Sequence, residues 1–210
     1  TRMSRPLSIK VCGMRDTGNV QALAALDVRY IGFIFYPNSK RYTENPPPRE
    51  ITGPLKRVGV FVDANIREII RNIATHDLDV LQIHGQENPK YCFELKQRAH
   101  ASIWKAFRVD ETFDFSQLEA FEDVVDAFLF DAKGAQPGGN GIRFDWSLLD
   151  QYQGTTPFLL SGGIEPASVV SIRELTHPRL IGIDLNSRFE LEPGLKDIQK
   201  LQNFIDELYR

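Results

Sequence analysis

The chain has 210 residues, of which 42% are hydrophobic and 25% are charged, and its formal net charge at pH 7 is −3. These values are typical of an ordinary globular protein, and the slight negative charge argues against a nucleic-acid partner. No apolar run is long enough for a membrane-spanning helix, and residues 1–8 lack the apolar segment of a secretory signal, so we expect a cytoplasmic protein without a membrane partner.

The cysteine content indicates free thiols and no metal site. Cys12 and Cys92 are the two cysteines, and they lie in different kinds of segment, which favours reduced thiols over a disulfide. Cys92 falls in a helical segment and is expected to be inert. No CxxC, HExxH or paired-histidine spacing occurs, so neither a structural nor a catalytic metal ion is predicted.

Along the chain, apolar runs of strand length alternate with longer segments of helical period. Strands are predicted near 8–12, 30–35, 57–62, 79–84, 102–107, 127–131, 157–161 and 180–185. Helices are predicted near 17–27, 64–76, 88–99, 117–123, 165–175 and 196–209, with only a turn or two in the connections 46–53 and 147–152. Several of the helix starts carry capping signals, at Asp16, at 63–65 and at Asp145, and Pro166 suits a first helical turn.

This alternation predicts an α/β fold, a single-domain (β/α)8 TIM barrel over residues 1–210. Strand cores such as 58–62 and 127–130 are apolar throughout, as in strands that are covered on both faces. Eight strand-and-connection units in 210 residues fit the lower end of the size range of that fold. An open doubly wound sheet is the alternative, but no Gly-x-Gly-x-x-Gly follows the first strand.

Polar residues collect at the ends of the predicted strands, where barrel enzymes place their chemistry. Cys12 ends the first strand and Asp131 ends the sixth. In a closed ring of eight strands these two strands are three apart, so the thiol and the carboxyl face one another across the mouth and can serve as base and acid. A lone cysteine is more often a small core residue, and its position at a strand end is what argues against that interpretation here.

The loops after strands 7 and 8 predict a phosphate site. Gly162 and Gly163 follow the seventh strand, and Asn186 and Ser187 follow the eighth. Glycines without a Cβ let backbone N–H groups approach an anion, and barrels of this kind commonly hold phosphate at these two loops. A small phosphorylated molecule is therefore the expected ligand.

Taken together, the motifs resemble those of the phosphoribosylanthranilate isomerase family of tryptophan biosynthesis. The matching segments are IKVCG at 9–13, GFIFYPNSKRY at 32–42, VGVFV at 58–62, LQIHG at 81–85, GGNGIRFDW at 138–146, LSGGI at 160–164, DLNSRFE at 184–190 and PGLKD at 193–197. They span nearly the whole chain in the family's order. The resemblance implies a (β/α)8 enzyme that converts N-(5-phosphoribosyl)anthranilate to 1-(2-carboxyphenylamino)-1-deoxyribulose 5-phosphate by an Amadori rearrangement, without a cofactor. The sequence leaves open whether the protein is a monomer or a homodimer.

The resemblance also implies roles for individual residues. Cys12 matches the family's general base and Asp131 its general acid. Arg41 matches the arginine that pairs with the anthranilate carboxylate, and Asp184 an aspartate near the amino and sugar groups. His84 is a further candidate for substrate contact, although a lone histidine at a strand end is more often structural.

The two catalytic candidates need opposite pKa shifts. Asp131 must hold a proton at neutral pH, and the apolar residues 128–130 are expected to help by desolvation. Cys12 needs a shift toward thiolate, for which Lys10, one strand period away, is the candidate cation. The glycine-rich residues 134–141 are predicted to form a mobile loop over the mouth.

One position departs from the family pattern. Arg188 stands where the family usually has glycine in its Asp-Val-Ser-Ser-Gly-Val-Glu loop, so we expect a different local backbone there. Its side chain either adds a charge-assisted contact to phosphate or turns outward.

Two other functions remain open at this point. Lys105 lies within a barrel strand and is a candidate for Schiff-base lyase chemistry, although an inward structural charge is preferred. A non-catalytic phosphate-binding barrel is the other, and the presence of both Cys12 and Asp131 argues against it.

Overall fold

The structure, a computed structural model, describes residues 6–132 and 145–210 and contains a closed barrel of eight parallel strands. Each strand pairs with its sequence neighbours, and β1 (Ser8–Val11) closes the ring on β8 (Leu180–Leu185) with Lys10 opposite Asp184. The predicted (β/α)8 barrel is therefore confirmed, and the doubly wound alternative is wrong. The predicted loop at 134–141 lies outside the described residues.

The element bounds follow the prediction closely. The other strands are β2 (Tyr30–Ile34), β3 (Lys56–Phe61), β4 (Val80–Ile83), β5 (Ser102–Arg108), β6 (Ala127–Asp131) and β7 (Phe158–Ser161). The helices are α1 (Thr17–Ala24), α2 (Arg49–Thr52), α3 (Ile66–His76), α4 (Pro89–Arg98), α5 (Val169–Arg173) and α6 (Ile198–Leu208). The short connections predicted at 46–53 and 147–152 hold α2 and a 3-10 helix (Trp146–Gln151). Side chains of Asp16, Asn65 and Asp145 cap their helices as expected.

Two predicted α-helices are different in the structure. The segment predicted at 117–123 is a 3-10 helix over Phe115–Phe121. Phe115, Leu118 and Phe121 recur every third residue, which suits the three residues per turn of a 3-10 helix. The segment predicted at 165–175 divides into a 3-10 turn (Pro166–Ser168) followed by the five-residue α5.

A two-stranded antiparallel hairpin, which the sequence did not predict, follows β8. A 3-10 turn (Ser187–Phe189) leads into β9 (Glu190–Glu192), which pairs with β10 (Leu195–Lys196). Helix α6 begins after it, capped by Asp197, rather than at 196. The hairpin lies next to the end of β1, and this position matters for the site below.

The apolar residues form two layers. A small cluster inside the barrel consists of Val58, Val80, Trp104, Ala127 and Leu159, with Tyr30 against it. The larger core lies between the strands and the surrounding helices. Because side chains alternate along a strand, Asp131 shares the inward face of β6 with Leu129 and Ala127.

Within the described residues, no helix is long and apolar enough to cross a membrane. Cys12 and Cys92 are both free, as predicted, and both are buried. Burial raises the pKa of the Cys92 thiol to about 11, in keeping with an inert side chain.

Candidate functional site

A buried ion pair lies beside Cys12 at the carboxyl end of β1. The Nζ of Lys10 is 3.1 Å from Oδ1 of Asp184, and both side chains are shielded from solvent. Ser161 on β7 donates its hydroxyl to the other carboxylate oxygen of Asp184 at 3.3 Å. Burial disfavours the ammonium form of Lys10, but Asp184 and Cys12 outweigh this effect and raise the pKa of Lys10. Lys10 is therefore a fixed cation at the level of the thiol.

The pKa of Cys12 differs from the expectation. The side chain is only 4% exposed. Its burial raises the pKa above 9.0, the ordinary value, although Lys10 and Lys196 both act to lower it. The predicted shift toward thiolate is thus wrong for the unliganded protein, because desolvation of the sulfur is the larger effect.

Asp131 ends β6 on the other side of the mouth. Going round the ring from β1 through β8 and β7 reaches β6, so the predicted cross-barrel arrangement of the two strands is confirmed. The carboxyl group of Asp131 is 13% exposed, and its Oδ2 lies 4.0 Å from Nε2 of His84. The Nε2 of Gln82 is 2.8 Å from Nδ1 of His84. Gln82 thus orients the imidazole ring through Nδ1, and Nε2 is the ring nitrogen that faces Asp131.

The aromatic residues before Asp131 do not cover its carboxyl group. Phe128 and Phe130 stack on each other outside the barrel, and Phe130 also packs against Phe158 with ring centroids 4.8 Å apart. Of residues 128–130, which were predicted to help desolvate Asp131, these two therefore face the outer core and not the barrel interior. Leu129 is the residue of this segment that shares its face.

The two loops of the predicted phosphate site lie side by side because β7 pairs with β8. Gly162 and Gly163 both have positive φ, 98° and 63°. A side chain at Gly162 would collide with Asp131 and with the backbone of Ala132, whereas the space beside Gly163 is open. The glycine turn therefore places main-chain atoms without side chains beside the carboxyl group of Asp131.

On the β8 side of this region, Ser187 and Arg188 are exposed and Asn186 is half-buried. Arg188 lies in the 3-10 turn, and its φ is not in the left-handed region. The arginine is accommodated there without backbone strain. This conformation is consistent with the expectation that the backbone at Arg188 differs from that of a glycine at the same position.

Arg41, the predicted carboxylate-binding residue, has a protein partner. Its Nε and Nη2 donate to the carboxylate of Glu190 at 2.9 and 2.5 Å. Lys196 donates to the same carboxylate at 2.8 Å and to Oδ1 of Asn186 at 3.1 Å. Gly13 has a φ of 77°, and a Cβ on it would lie 2.6 Å from Cδ of Arg41. The turn after Cys12 is thus packed directly against this ion cluster.

Lys105 lies on the outer face of β5. Trp104 faces the barrel interior, so Lys105 faces outward, where its Nζ donates to the carbonyl oxygens of Gly85 and Ala106 and lies 3.5 Å from Oε1 of Glu87. It is a structural charge as preferred, but the predicted inward orientation is wrong. The amine is buried and held by these partners on the outer face of β5, which disfavours the Schiff-base lyase.

Replacing Lys105 by Met should therefore affect stability rather than chemistry. The Glu87 carboxylate is 1% exposed and, among the residues that the structure describes, would keep only the backbone N–H groups of Asp63 and Gly85 as donors. Removing one partner of such a buried pair costs about 3–5 kcal/mol. We expect urea unfolding to show that loss, whereas the exposed Lys90→Met stays within about 0.5 kcal/mol of the parent. An unchanged unfolding free energy in Lys105→Met would contradict this assignment.

Sequence reasoning assigned no role to two residues of the site, Glu190 and Lys196. Both lie in segments that carry the family resemblance, but an acidic and a basic residue in a loop ordinarily indicate only a solvated surface. Nothing in their local pattern reveals that the hairpin buries them against Arg41. Among residues 6–132 and 145–210, no group of three or more His, Cys, Asp or Glu side chains is placed to hold a metal ion.

A closed parallel barrel with a thiol, a carboxyl group and a cluster of buried cations at the carboxyl ends of its strands belongs to the class of (β/α)8 enzymes that bind small anionic substrates. Comparison with known proteins identifies the family within this class. Residues 9–207 match the family described as N-(5'phosphoribosyl)anthranilate (PRA) isomerase. An N-(5'-phosphoribosyl)anthranilate isomerase of Parabacteroides distasonis is 50% identical over 206 residues, which cover 95% of this chain and 92% of the relative.

Solved structures agree. A structure of monomers generated from the dimeric phosphoribosylanthranilate isomerase of Thermotoga maritima aligns with a TM-score of 0.77 at 28% identity, covering 97% of this chain and 98% of the other. A phosphoribosyl anthranilate isomerase in complex with reduced 1-(o-carboxyphenylamino)-1-deoxyribulose 5-phosphate aligns with a TM-score of 0.76 at 27% identity and the same coverage.

The chain belongs to the phosphoribosylanthranilate isomerase family. Its reaction is the Amadori rearrangement of N-(5-phosphoribosyl)anthranilate to 1-(2-carboxyphenylamino)-1-deoxyribulose 5-phosphate in tryptophan biosynthesis.

Proposed function

We propose that Cys12 is the general base and Asp131 the general acid of this isomerisation. The observation that supports it most is their position at the carboxyl ends of β1 and β6, on opposite sides of one barrel mouth, with the cation of Lys10 beside the thiol. General acid–base groups need this kind of two-sided access to one substrate.

The chemistry divides between the two groups. Asp131 donates a proton to the furanose ring oxygen as the bond between that oxygen and C1' breaks, and the nitrogen lone pair forms the C1'=N bond of a Schiff base. Cys12, as thiolate, then takes the proton from C2'. The electrons of that C–H bond form a C1'=C2' double bond, and the nitrogen regains its lone pair. The resulting enolamine tautomerises to the ketone by losing the hydroxyl proton at C2' and gaining a proton at C1'.

Three further residues are proposed to hold the sugar and the anthranilate. Arg41 binds the anthranilate carboxylate through N–H groups that Glu190 does not use. Asp184 is fixed by Lys10 and Ser161 next to Cys12, which suits contact with the amino and sugar groups. The Nε2 of His84 faces Asp131, a position from which it can form a hydrogen bond with the sugar.

The phosphate is proposed to bind between the loops after β7 and β8. Gly162 and Gly163 offer backbone N–H groups without side chains in front of them. Asn186, Ser187 and Arg188 line the other side. The helix that follows Gly163 has only five residues, so the glycine turn and the β8 loop carry this contact rather than a long helix dipole.

Arg188→Ala should raise KM and leave kcat nearly unchanged if the guanidinium binds phosphate. A charge-assisted hydrogen bond contributes about 1.5–3 kcal/mol, which corresponds to roughly 10- to 100-fold in KM. Steady-state kinetics would be compared with Arg67→Ala, which removes an exposed arginine on α3. A KM within twofold of the parent would show that Arg188 points away from the phosphate.

The decisive experiment on the function is turnover of freshly generated phosphoribosylanthranilate, followed as the loss of its fluorescence. Consumption by the parent protein and identification of the open-chain ketose by mass spectrometry support the proposal. Binding without turnover would instead support a non-catalytic barrel. Reductive trapping with borohydride tests the lyase alternative, because a Schiff base on Lys105 would, once reduced, add the mass of the substrate to the protein.

Partners and location are proposed on the same basis. The partner is a small phosphorylated substrate, and neither nucleic acid nor a membrane is expected, in keeping with the net charge of −3. The protein is proposed to be cytoplasmic and to exist as a monomer or homodimer. Sedimentation velocity at micromolar concentration separates the two states.

A further inference from the structure

Glu190 is the centre of a buried ion triad beside Cys12. Its carboxylate accepts hydrogen bonds from Arg41, from Nζ of Lys196 at 2.8 Å and from the backbone N–H of Gly194 at 2.8 Å. Burial opposes ionisation of Glu190, but these donors outweigh it and lower its pKa to about 2. Glu190 is therefore an anion over the whole physiological range of pH.

Glu190 engages one edge of the Arg41 guanidinium. Nε and Nη2 form that edge, with distances of 2.9 and 2.5 Å to the two carboxylate oxygens. A guanidinium has five N–H donors and a second edge, formed by Nη1 and the outer N–H of Nη2, that also matches a carboxylate. No partner among the described residues is bonded to Nη1 of Arg41. Glu190 thus binds one edge of the Arg41 guanidinium and leaves the other edge available for a second carboxylate.

Lys196 is buried and is held in place by hydrogen bonds of its backbone and side chain. Its side chain is fully buried, and its backbone N–H and C=O are both hydrogen-bonded to the amide of Asn19 in α1 at 2.9 Å. Burial lowers the pKa of Lys196, and the Glu190 carboxylate acts in the opposite direction. The Nζ of Lys196 lies 2.8 Å from that carboxylate and 3.1 Å from Oδ1 of Asn186, the contacts of an ammonium group in an ion pair. The ammonium is hydrogen-bonded to Glu190 and Asn186, and its charge also acts on Cys12.

The charges of the triad do not cancel. Glu190 carries one negative charge, and Arg41 and Lys196 carry one positive charge each, which leaves one positive charge in surplus. If Lys196 were neutral, Glu190 would cancel the charge of Arg41, and a second carboxylate on that arginine would meet no net attraction. With Lys196 charged, a ligand carboxylate makes the cluster neutral.

We propose that Lys196 and Glu190 are positioning residues for the anthranilate carboxylate: Glu190 fixes the guanidinium of Arg41, and Lys196 offsets the charge of Glu190 so that Arg41 keeps its attraction for an anion. The inference rests on the proposed role of Arg41 and extends it to two residues that do not touch the substrate.

The test is a charge-balanced pair of variants. Lys196→Met removes the surplus charge and should raise KM for phosphoribosylanthranilate about 10-fold or more. Adding Glu190→Gln to it restores one net positive charge on Arg41, and KM should return to within about threefold of the parent. Lys40→Met is the matched control, because it removes an exposed lysine next to Arg41 in sequence but outside the triad. A purely packing role would make the double variant at least as poor as the single one.

Binding provides a readout that does not depend on turnover. The probes are the reduced product analogue, reduced 1-(2-carboxyphenylamino)-1-deoxyribulose 5-phosphate, and its counterpart without the carboxyl group, both titrated by calorimetry. Lys196→Met should weaken the first about 10-fold or more and leave the second within about twofold.

Equal weakening of both ligands, or no weakening of either, would overturn the proposal. Failure of the double variant to recover would also overturn it. Failure of the parent protein to bind the carboxylated probe would instead contradict the proposed function itself, so the two failures are distinguishable.

Discussion

Cys12→Ser is expected to lower kcat by about 10²–10⁴-fold, the usual contribution of a general base. The hydroxyl fits the same space, since Gly32 leaves room for the sulfur and a Cβ there would lie only 2.8 Å from Sγ. An alcohol, however, is a far weaker acid than a thiol, so a neighbouring lysine cannot make the serine oxygen an effective base. The fluorescence assay measures the loss, and thermal unfolding checks that the barrel is retained. Near-normal turnover in the purified variant would remove Cys12 from the mechanism.

The control for this variant is Cys92→Ser, which replaces the other buried thiol away from the mouth and should leave kcat unchanged. Its unfolding temperature shows what a buried Cys→Ser change costs by itself. Only a loss confined to Cys12 supports a role for the thiol in proton transfer.

The raised pKa of Cys12 gives a second expected result on the same residue. Since burial holds the thiol neutral, its alkylation by iodoacetamide should be slow at pH 7 and should accelerate as pH rises, with a midpoint above 9.0. Lys10→Met removes the nearest cation and should move that midpoint higher still. Mass spectrometry of the modified peptide follows the reaction. A midpoint well below that of an ordinary thiol would show that Lys10 and Lys196 outweigh desolvation.

The barrel and the pair of residues at its mouth could be predicted because their signals are local. Apolar runs of strand length separated by helical segments define the ring, and the two-residue period of a strand defines which side chains share a face. Closure of eight strands then puts β1 and β6 on opposite sides of the mouth without further information. The burial of Cys12 is a property of the packed mouth, and so the sign of its pKa shift was missed.

The ion triad could not be predicted in the same way. Arg41 and Glu190 are 149 positions apart in the sequence. The hairpin that carries Glu190 to Arg41 has strands of only three and two residues. Strands that short leave no periodic pattern. The predicted orientation of Lys105 was wrong for a related reason. The strand itself was correctly predicted, but which of its two faces points into the barrel depends on its register against β4 and β6.

Asp131→Asn is expected to lower kcat by about 10²–10⁴-fold, because an amide cannot donate the proton that opens the furanose ring. The substitution keeps the shape of the side chain beside Gly162, so the glycine turn should remain in place. Asp123→Asn, an exposed aspartate that precedes β6, is the matched control and should keep full activity. Parent-like kcat in Asp131→Asn would assign the acid to another group.

The two variants should also differ in what they accumulate, because ring opening comes before removal of the C2' proton. Cys12→Ser can still form the open-chain Schiff base but cannot use it, so borohydride should trap the reduced phosphoribityl amine above the enzyme-free background. Asp131→Asn stops earlier and should yield only that background. The double variant should be little worse than Asp131→Asn alone, since residues that serve one reaction sequence are not additive. Equal trapping in both single variants would mean that the protonation attributed to Asp131 does not precede the step attributed to Cys12.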